Sequence, residues 1–254
     1  MAFDAAAVAA RITAGADFVG SGFPRDLAEC APLTLPVSII VRAGLTTADV
    51  VQTLAVATGR AAASLRKRRL RGCLVAHRGF GMIFLDEDDS ALVRFALAHE
   101  LAHFAGHYLT RRELAIARLG PAIIDVLDGL RAPTAPEQLA GILSGCPLGM
   151  FADVMERDDG VPLTAAAEVM EYEADEAAFL ALAPIGIVIA RTLGRSGRID
   201  RAAATACLIE TFGLSPGDAD RHAPRIVNAA GRNRPSLVEQ LRKAASKIER
   251  ERHM

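Results

Sequence analysis

Arg94-Phe95-Ala96-Leu97-Ala98-His99-Glu100-Leu101-Ala102-His103-Phe104 is the stretch on which the reading of this chain turns. Its apolar residues recur with helical spacing, and on a helix positions i and i+4 stand one above the other on one face. His99 and His103 therefore aim two imidazoles at one point, with Glu100 beside the first. The H-E-x-x-H pattern matches a zinc chemistry that needs two nitrogen ligands, a metal-acidified water and a carboxylate to take its proton. Two histidines and a glutamate set among Phe95, Leu97, Leu101 and Phe104 are costly to bury without a partner. A metal ion supplies that partner.

A catalytic zinc site takes three protein ligands and leaves the fourth place to water. His107 continues the row, but eight helical residues span about 12 Å and metal–nitrogen bonds are about 2.1 Å. Three rings on one straight helix do not easily converge. Leu109 also stands where the longer H-E-x-x-H-x-x-G-x-x-H pattern requires histidine. The better source is Glu171-Tyr172-Glu173-Ala174-Asp175, where Glu171 and Asp175 share a helix face. One can ligate while the other holds a ligating imidazole through its second nitrogen. Glu173, roughly 200° round the helix, is expected to point to solvent or to another surface group.

Around these motifs the chain reads as helix and a little strand. Residues 4–30 are alanine-rich helix broken at Gly20-Ser21-Gly22, and Val37–Val41 is a β-branched strand. Residues 46–71 read as a helix ending in the basic cluster Arg66-Lys67-Arg68-Arg69, a solvated face. Two apolar runs, 73–76 and 82–85, separated by Arg78-Gly79-Phe80-Gly81, form a hairpin. Its edge would give an extended peptide somewhere to pair. Asp86-Glu87-Asp88-Asp89-Ser90 caps the motif helix, expected over about 91–108. Residues 111–163, punctuated by Gly120-Pro121, Pro133, Pro136, Pro147 and Asp159-Gly160, read as short helices joined by turns. Thr164 caps a second long helix that stops at Pro184.

From residue 199 to the end the pattern is helical. Residues 202–227 have the outline of a helix-turn-helix, with Arg221, Arg225, Arg232 and Arg234 nearby, although a plain packing module is the favoured reading. The 254 residues carry 29 Lys plus Arg against 30 Asp plus Glu, which leaves no overall charge footprint for nucleic acid. Direct nucleic-acid binding is therefore not expected. The four cysteines, Cys30, Cys73, Cys146 and Cys207, lie far apart and read as reduced thiols. Neither a secretory leader nor an apolar run of about 18 residues is present, so a cytoplasmic protein without a membrane span is expected.

The motif run, preceded by a strand ending Ile83-Phe84-Leu85-Asp86, resembles the ImmA/IrrE metallo-endopeptidases. That family follows its H-E-x-x-H helix with an E-x-x-A-N/D-x-F-A-type segment ending near proline. The segment from Glu171 and Asp175 through Phe179 to Pro184 is similar. HtpX-like membrane peptidases share the E-x-x-A-D pattern, but this chain lacks their membrane helices. The likeness covers roughly residues 30–190. It implies an α+β, zincin-like fold with a small sheet packed on the two motif helices. It also implies Zn2+ held by His99, His103 and Glu171, with Glu100 as general base; Asp175 would then orient a ligand imidazole. The implied partner is a protein substrate such as a repressor-type transcription factor, in stress or mobile-element regulation.

The chain departs from the family in two places. Some 68 positions separate His103 from Glu171, so residues 109–163 look like a helical insertion, and Ala183 replaces a methionine often found before the terminal proline. Residues 1–190 are thus expected to form the peptidase domain and 191–254 a helical C-terminal module. Two rival readings stand beside an active gluzincin-type enzyme. A non-catalytic zincin-shaped regulator that binds a partner protein or DNA is disfavoured by the intact His99, Glu100, His103 and Glu171. A scaffold with a closed zinc site is disfavoured by Glu100, because a structural site needs no base.

Overall fold

The computed structural model describes residues 3–19, 22–58, 66–86, 90–144, 151–156, 164–196 and 199–232. Four strands, β1 (Val37–Val41), β2 (Leu70–His77), β3 (Phe80–Leu85) and β4 (Phe151–Glu156), make one mixed sheet in the order β1-β3-β2-β4. β1 runs parallel to β3, while β2 is antiparallel to both β3 and β4. The rest is mostly helix, so the fold class is α+β.

The hairpin between β2 and β3 closes on two residues, Arg78 at φ 54° and Gly79 at φ 80°. Positive φ at both central positions matches the strand twist, and glycine supplies the second without steric strain. Alternation then sorts the side chains of both strands. Cys73, Val75 and Phe84 join Leu45 and Val50 in a core on one face, toward the helix Thr47–Thr58. Gly72 and Gly81 lie on the other face, against Glu100 and Phe104 of the motif segment. Burial on both faces explains the near-continuous apolar reading of β2.

Three local expectations change. Residues 66–69 are not helical, because Leu70 N–H donates to Leu45 O and Thr47 N–H to Arg68 O. Pairing with the 45–47 segment overrides the helical pattern; the four basic side chains are exposed. The region 111–163, expected to be helical, contains β4, which pairs with β2 from Leu70↔Glu156 to Ala76↔Phe151. Its short charged sequence is typical of an edge strand, formed by a partner more than by intrinsic preference. Consequently both hairpin strands are interior, and the sheet's edges are β1 and β4.

The motif helix runs α-helically over Ser90–Ala102, widens into a π-helical stretch at His103–Leu109, and resumes as Thr110–Leu119 until Gly120. It therefore extends well past residue 108, since no breaker intervenes before Gly120-Pro121. Asp86 is buried and accepts from Gly44 N–H at 2.7 Å; of the rest of the expected cap, Ser90 is the first helical residue, and Glu87, Asp88 and Asp89 lie outside the described residues. The second long helix, Ala165–Leu182, starts as expected, with Thr164 Oγ1 accepting from Ala167 N–H at 3.1 Å. It packs against both the motif helix and the N-terminal helix Ala5–Ile12.

The chain divides into two compact units at Pro184, and Thr211–Ser215 belongs with the first. There Arg94 donates to Gly213 O at 2.6 Å and Phe212 packs on Phe23 with ring centroids 4.6 Å apart. The second unit contains the helices Ile185–Ser196, Arg201–Glu210 and Pro216–Arg232. Arg234 and the remaining C-terminal tail, read above as helical, lie outside the described residues. Cys30, Cys73 and Cys207 are buried, while Cys146 also lies outside the described residues. Among the described residues no single helix is long and apolar enough to cross a membrane.

Candidate metal centre

His99 closes the α-helical part of the motif helix and His103 opens its π-helical part. Helical stacking sets their rings 4.7 Å apart at 63°, with the two Nε2 atoms only 3.0 Å from each other. From the second long helix, Glu171 brings Oε2 to 3.2 Å from His99 Nε2 and Oε1 to 3.6 Å from His103 Nε2. Each residue offers one ligand atom, all within 4.8 Å of one another; among the described residues this is the one such set of three. Tetrahedral zinc with bonds of about 2.1 Å separates its ligands by about 3.4 Å. The donor spacing suits such an ion.

Both histidines are sealed from solvent, whereas the Glu171 side chain is 38% exposed. His99 turns its other nitrogen, Nδ1, to Asp175 Oδ1 at 2.9 Å. Glu171 and Asp175 thus occupy the two positions that their shared helix face suggests. Glu100 is completely buried beneath β2. An ideal Cβ at Gly72 would sit 2.7 Å from Glu100 Oε1, so glycine is what leaves the carboxylate its place. The β2–β4 register shifts between Leu70 and Gly72, an irregularity of the kind that re-aims groups beside functional sites.

Electrostatics agree with a seat for positive charge. Burial by itself lowers the His99 pKa, but hydrogen bonds to Asp175 and Glu171, with the Glu100 charge, outweigh it and push the value up to about 10. Burial holds His103 well below the ordinary histidine value, reinforced by the charges of His99 and His107. The acids around the centre therefore favour one positive charge, while burial and repulsion from that charge disfavour a second. Nitrogen and carboxylate donors in this number also suit zinc by type.

Glu173 corrects the expectation that it faces away. Its Oε2 lies 3.1 Å from His107 Nε2, and His107 Nδ1 lies 3.0 Å from His103 Nδ1. The π-helical stretch of the motif segment also packs on the long helix, so a residue roughly 200° from Glu171 still meets His107. His107 remains outside the group of three ligand atoms and is pinned by the Phe3 ring, 4.8 Å away. Burial lowers its pKa, with the Glu173 hydrogen bond acting in the opposite sense. Sequence reasoning missed this pair; the signal available was a third histidine in the i+4 row opposite an acid spaced between two others.

Tyr108 accepts a 2.8 Å hydrogen bond through its hydroxyl from Gly79 N–H at the hairpin turn, and Tyr172 is exposed. His222 is buried in the helix Pro216–Arg232 of the second unit. Compared with protein-family models and with curated proteins, the chain matches none.

Proposed function

We propose that this protein is a zinc-dependent endopeptidase of zincin-like, gluzincin type, related in mechanism to the ImmA/IrrE enzymes that its motifs resemble. The observation that carries the reading is a centre of three donors, His99, His103 and Glu171, with a fourth charged group, Glu100, next to it and outside the donor set. A structural zinc site closes on four protein ligands, whereas a catalytic one keeps a place open and a base at hand.

His99, His103 and Glu171 would hold the ion. Zinc bound there supplies Lewis acidity, polarising a peptide carbonyl and making a water acidic near neutral pH. Glu100 accepts the proton of the attacking water and delivers it to the departing amine, as a general base and then acid. Burial under β2 keeps that carboxylate in one orientation. Asp175 holds the His99 ring through Nδ1, leaving Nε2 for the metal. Glu171 is the most exposed of the three donors, so a substrate chain would approach the centre from its side. The substrate class, a regulatory protein such as a repressor-type transcription factor in the cytoplasm, follows from the resemblance alone.

The test compares wild type with Glu100→Gln at matched zinc content on a peptide library. The variant is expected to keep its zinc and lose about 10²–10⁴-fold in hydrolysis, the usual contribution of a positioned base. Wild-type rates in the variant would remove Glu100 from the chemistry, and a zinc-loaded wild type that cuts no peptide would overturn the peptidase reading.

A further inference from the structure

Beyond the ligands themselves, the acidic helix and the third histidine of the motif row make a second set of contacts. His103 Nδ1 lies 3.0 Å from His107 Nδ1, and His107 Nε2 lies 3.1 Å from Glu173 Oε2. We infer that His107 and Glu173 are positioning residues for the metal centre: together they fix the ring and the tautomer of His103, as Asp175 does for His99. This rests on the zinc reading of the site.

The direction of the chain follows from its anionic end. An ionised carboxylate only accepts, so the nitrogen of His107 that faces Glu173 carries the proton. A neutral imidazole has one proton, which leaves His107 Nδ1 as an acceptor. His103 Nδ1 must then donate to it, and His103 Nε2 is left bare. That bare nitrogen is the atom facing His99 Nε2 and Glu171. Each proton is assigned from its partners, and no other placement of protons on two neutral imidazoles satisfies both contacts.

Local structure supports the assignment. His107 and His103 are sealed from solvent, so a lost hydrogen bond between them has no water to replace it. Phe3 covers one side of His107, and a Cβ on Gly106 would meet the Phe3 ring at 2.4 Å, so glycine lets that ring close over the histidine. The π-helical stretch begins at His103 and carries both rings; such widened turns recur at functional positions of helices. The acidic triplet thereby acquires three distinct tasks from one helix. Glu171 offers the third donor, Asp175 anchors His99 directly, and Glu173 anchors His103 through His107.

The experiment measures zinc affinity of the full chain by chelator competition, together with the visible spectrum of the cobalt(II) form and the melting temperature of the metal-free form. His107→Phe keeps a ring under Phe3 but removes the acceptor, whereas His107→Asn returns an oxygen close to the position of Nδ1. Glu173→Ala and Glu173→Gln form a matching pair at the other end. The Phe and Ala variants are expected to weaken zinc binding by about 10–100-fold, the range for groups that orient metal ligands. The Asn and Gln variants should recover most of it and retain the cobalt spectrum. Removing both groups at once should be no worse than removing His107, because they act in series.

Wild-type affinity in His107→Phe, or an Asn variant as weak as the Phe variant at equal metal-free stability, would overturn the proposal. If His107→Phe fails to fold, the Glu173 pair gives the same reading from the half-exposed end. His99→Ala is run alongside. Wild-type affinity there sinks the zinc reading and the relay with it; loss there with none in the His107 and Glu173 variants sinks the relay alone.

Discussion

Gly72→Ala adds one methyl group to β2 and touches no metal ligand, so it isolates the base from the metal. The new Cβ would lie 2.7 Å from Glu100 Oε1 and 3.4 Å from Glu100 Cγ. Ordinary van der Waals contact begins at about 3.4 Å, so the carboxylate oxygen has to retreat by roughly 0.7 Å. Gly72 is not among the positive-φ residues, so alanine fits the backbone, and the strand itself gains from losing glycine. The strain thus falls on Glu100, which is completely buried and has little room to yield. A displacement approaching 1 Å at a reacting group costs about 10²-fold in rate. We therefore expect a 10- to 100-fold fall in peptide hydrolysis with zinc affinity within about twofold of wild type. Steady-state hydrolysis and chelator competition on the same preparation read both quantities. An alanine variant that cuts at the wild-type rate would show that the position of Glu100 is immaterial.

Other outcomes follow from the same geometry. His99→Ala and His103→Ala should each lose zinc and lower the melting temperature of the zinc-loaded protein, since binding is linked to folding; elemental analysis and calorimetry check this together. Glu171→Ala should damage zinc affinity more than Asp175→Ala, which is expected to cost about 10–100-fold; the reverse order in a chelator titration would exchange their roles. In the metal-free protein the raised His99 pKa contributes stability that is complete below the unfolded histidine value, about 6.5, and lost as pH rises through about 10. Melts of the stripped chain should therefore fall across that window, and a flat profile would contradict the assignment. Specific DNA binding is not expected: Arg201 pairs with Asp220 at 2.7 Å and Arg221 lies 3.5 Å from Asp218, so acids partly offset these arginines. Nanomolar, sequence-selective binding at physiological salt would refute that.

What the residues disclosed in advance depended on the range of the interaction involved. The i, i+4 row of His99 and His103, the Thr164 cap and the Arg78-Gly79 turn are local, so spacing and backbone chemistry announce them. Glu171 and Asp175 were legible because a shared helix face is also a local property. β4 was not, since Phe151–Glu156 becomes a strand through pairing with β2, a partner some 80 positions away. Residues 66–69 likewise follow the 45–47 segment instead of their own helical pattern. Glu173 was misread because helical angles say which face a residue occupies, but not how many faces of that helix are covered. The place of Gly72 under Glu100 depends on strand register and helix packing together, and neither is written in either segment alone.

The central claim is tested most directly by anomalous X-ray scattering from crystals of the purified protein on either side of the zinc absorption edge. The account predicts one zinc peak per chain, about 2.1 Å from His99 Nε2, from His103 Nε2 and from a Glu171 oxygen. A zinc-replete protein with no peak there, or with its peak on His107 and Glu173 while Glu171 points to solvent, would contradict it.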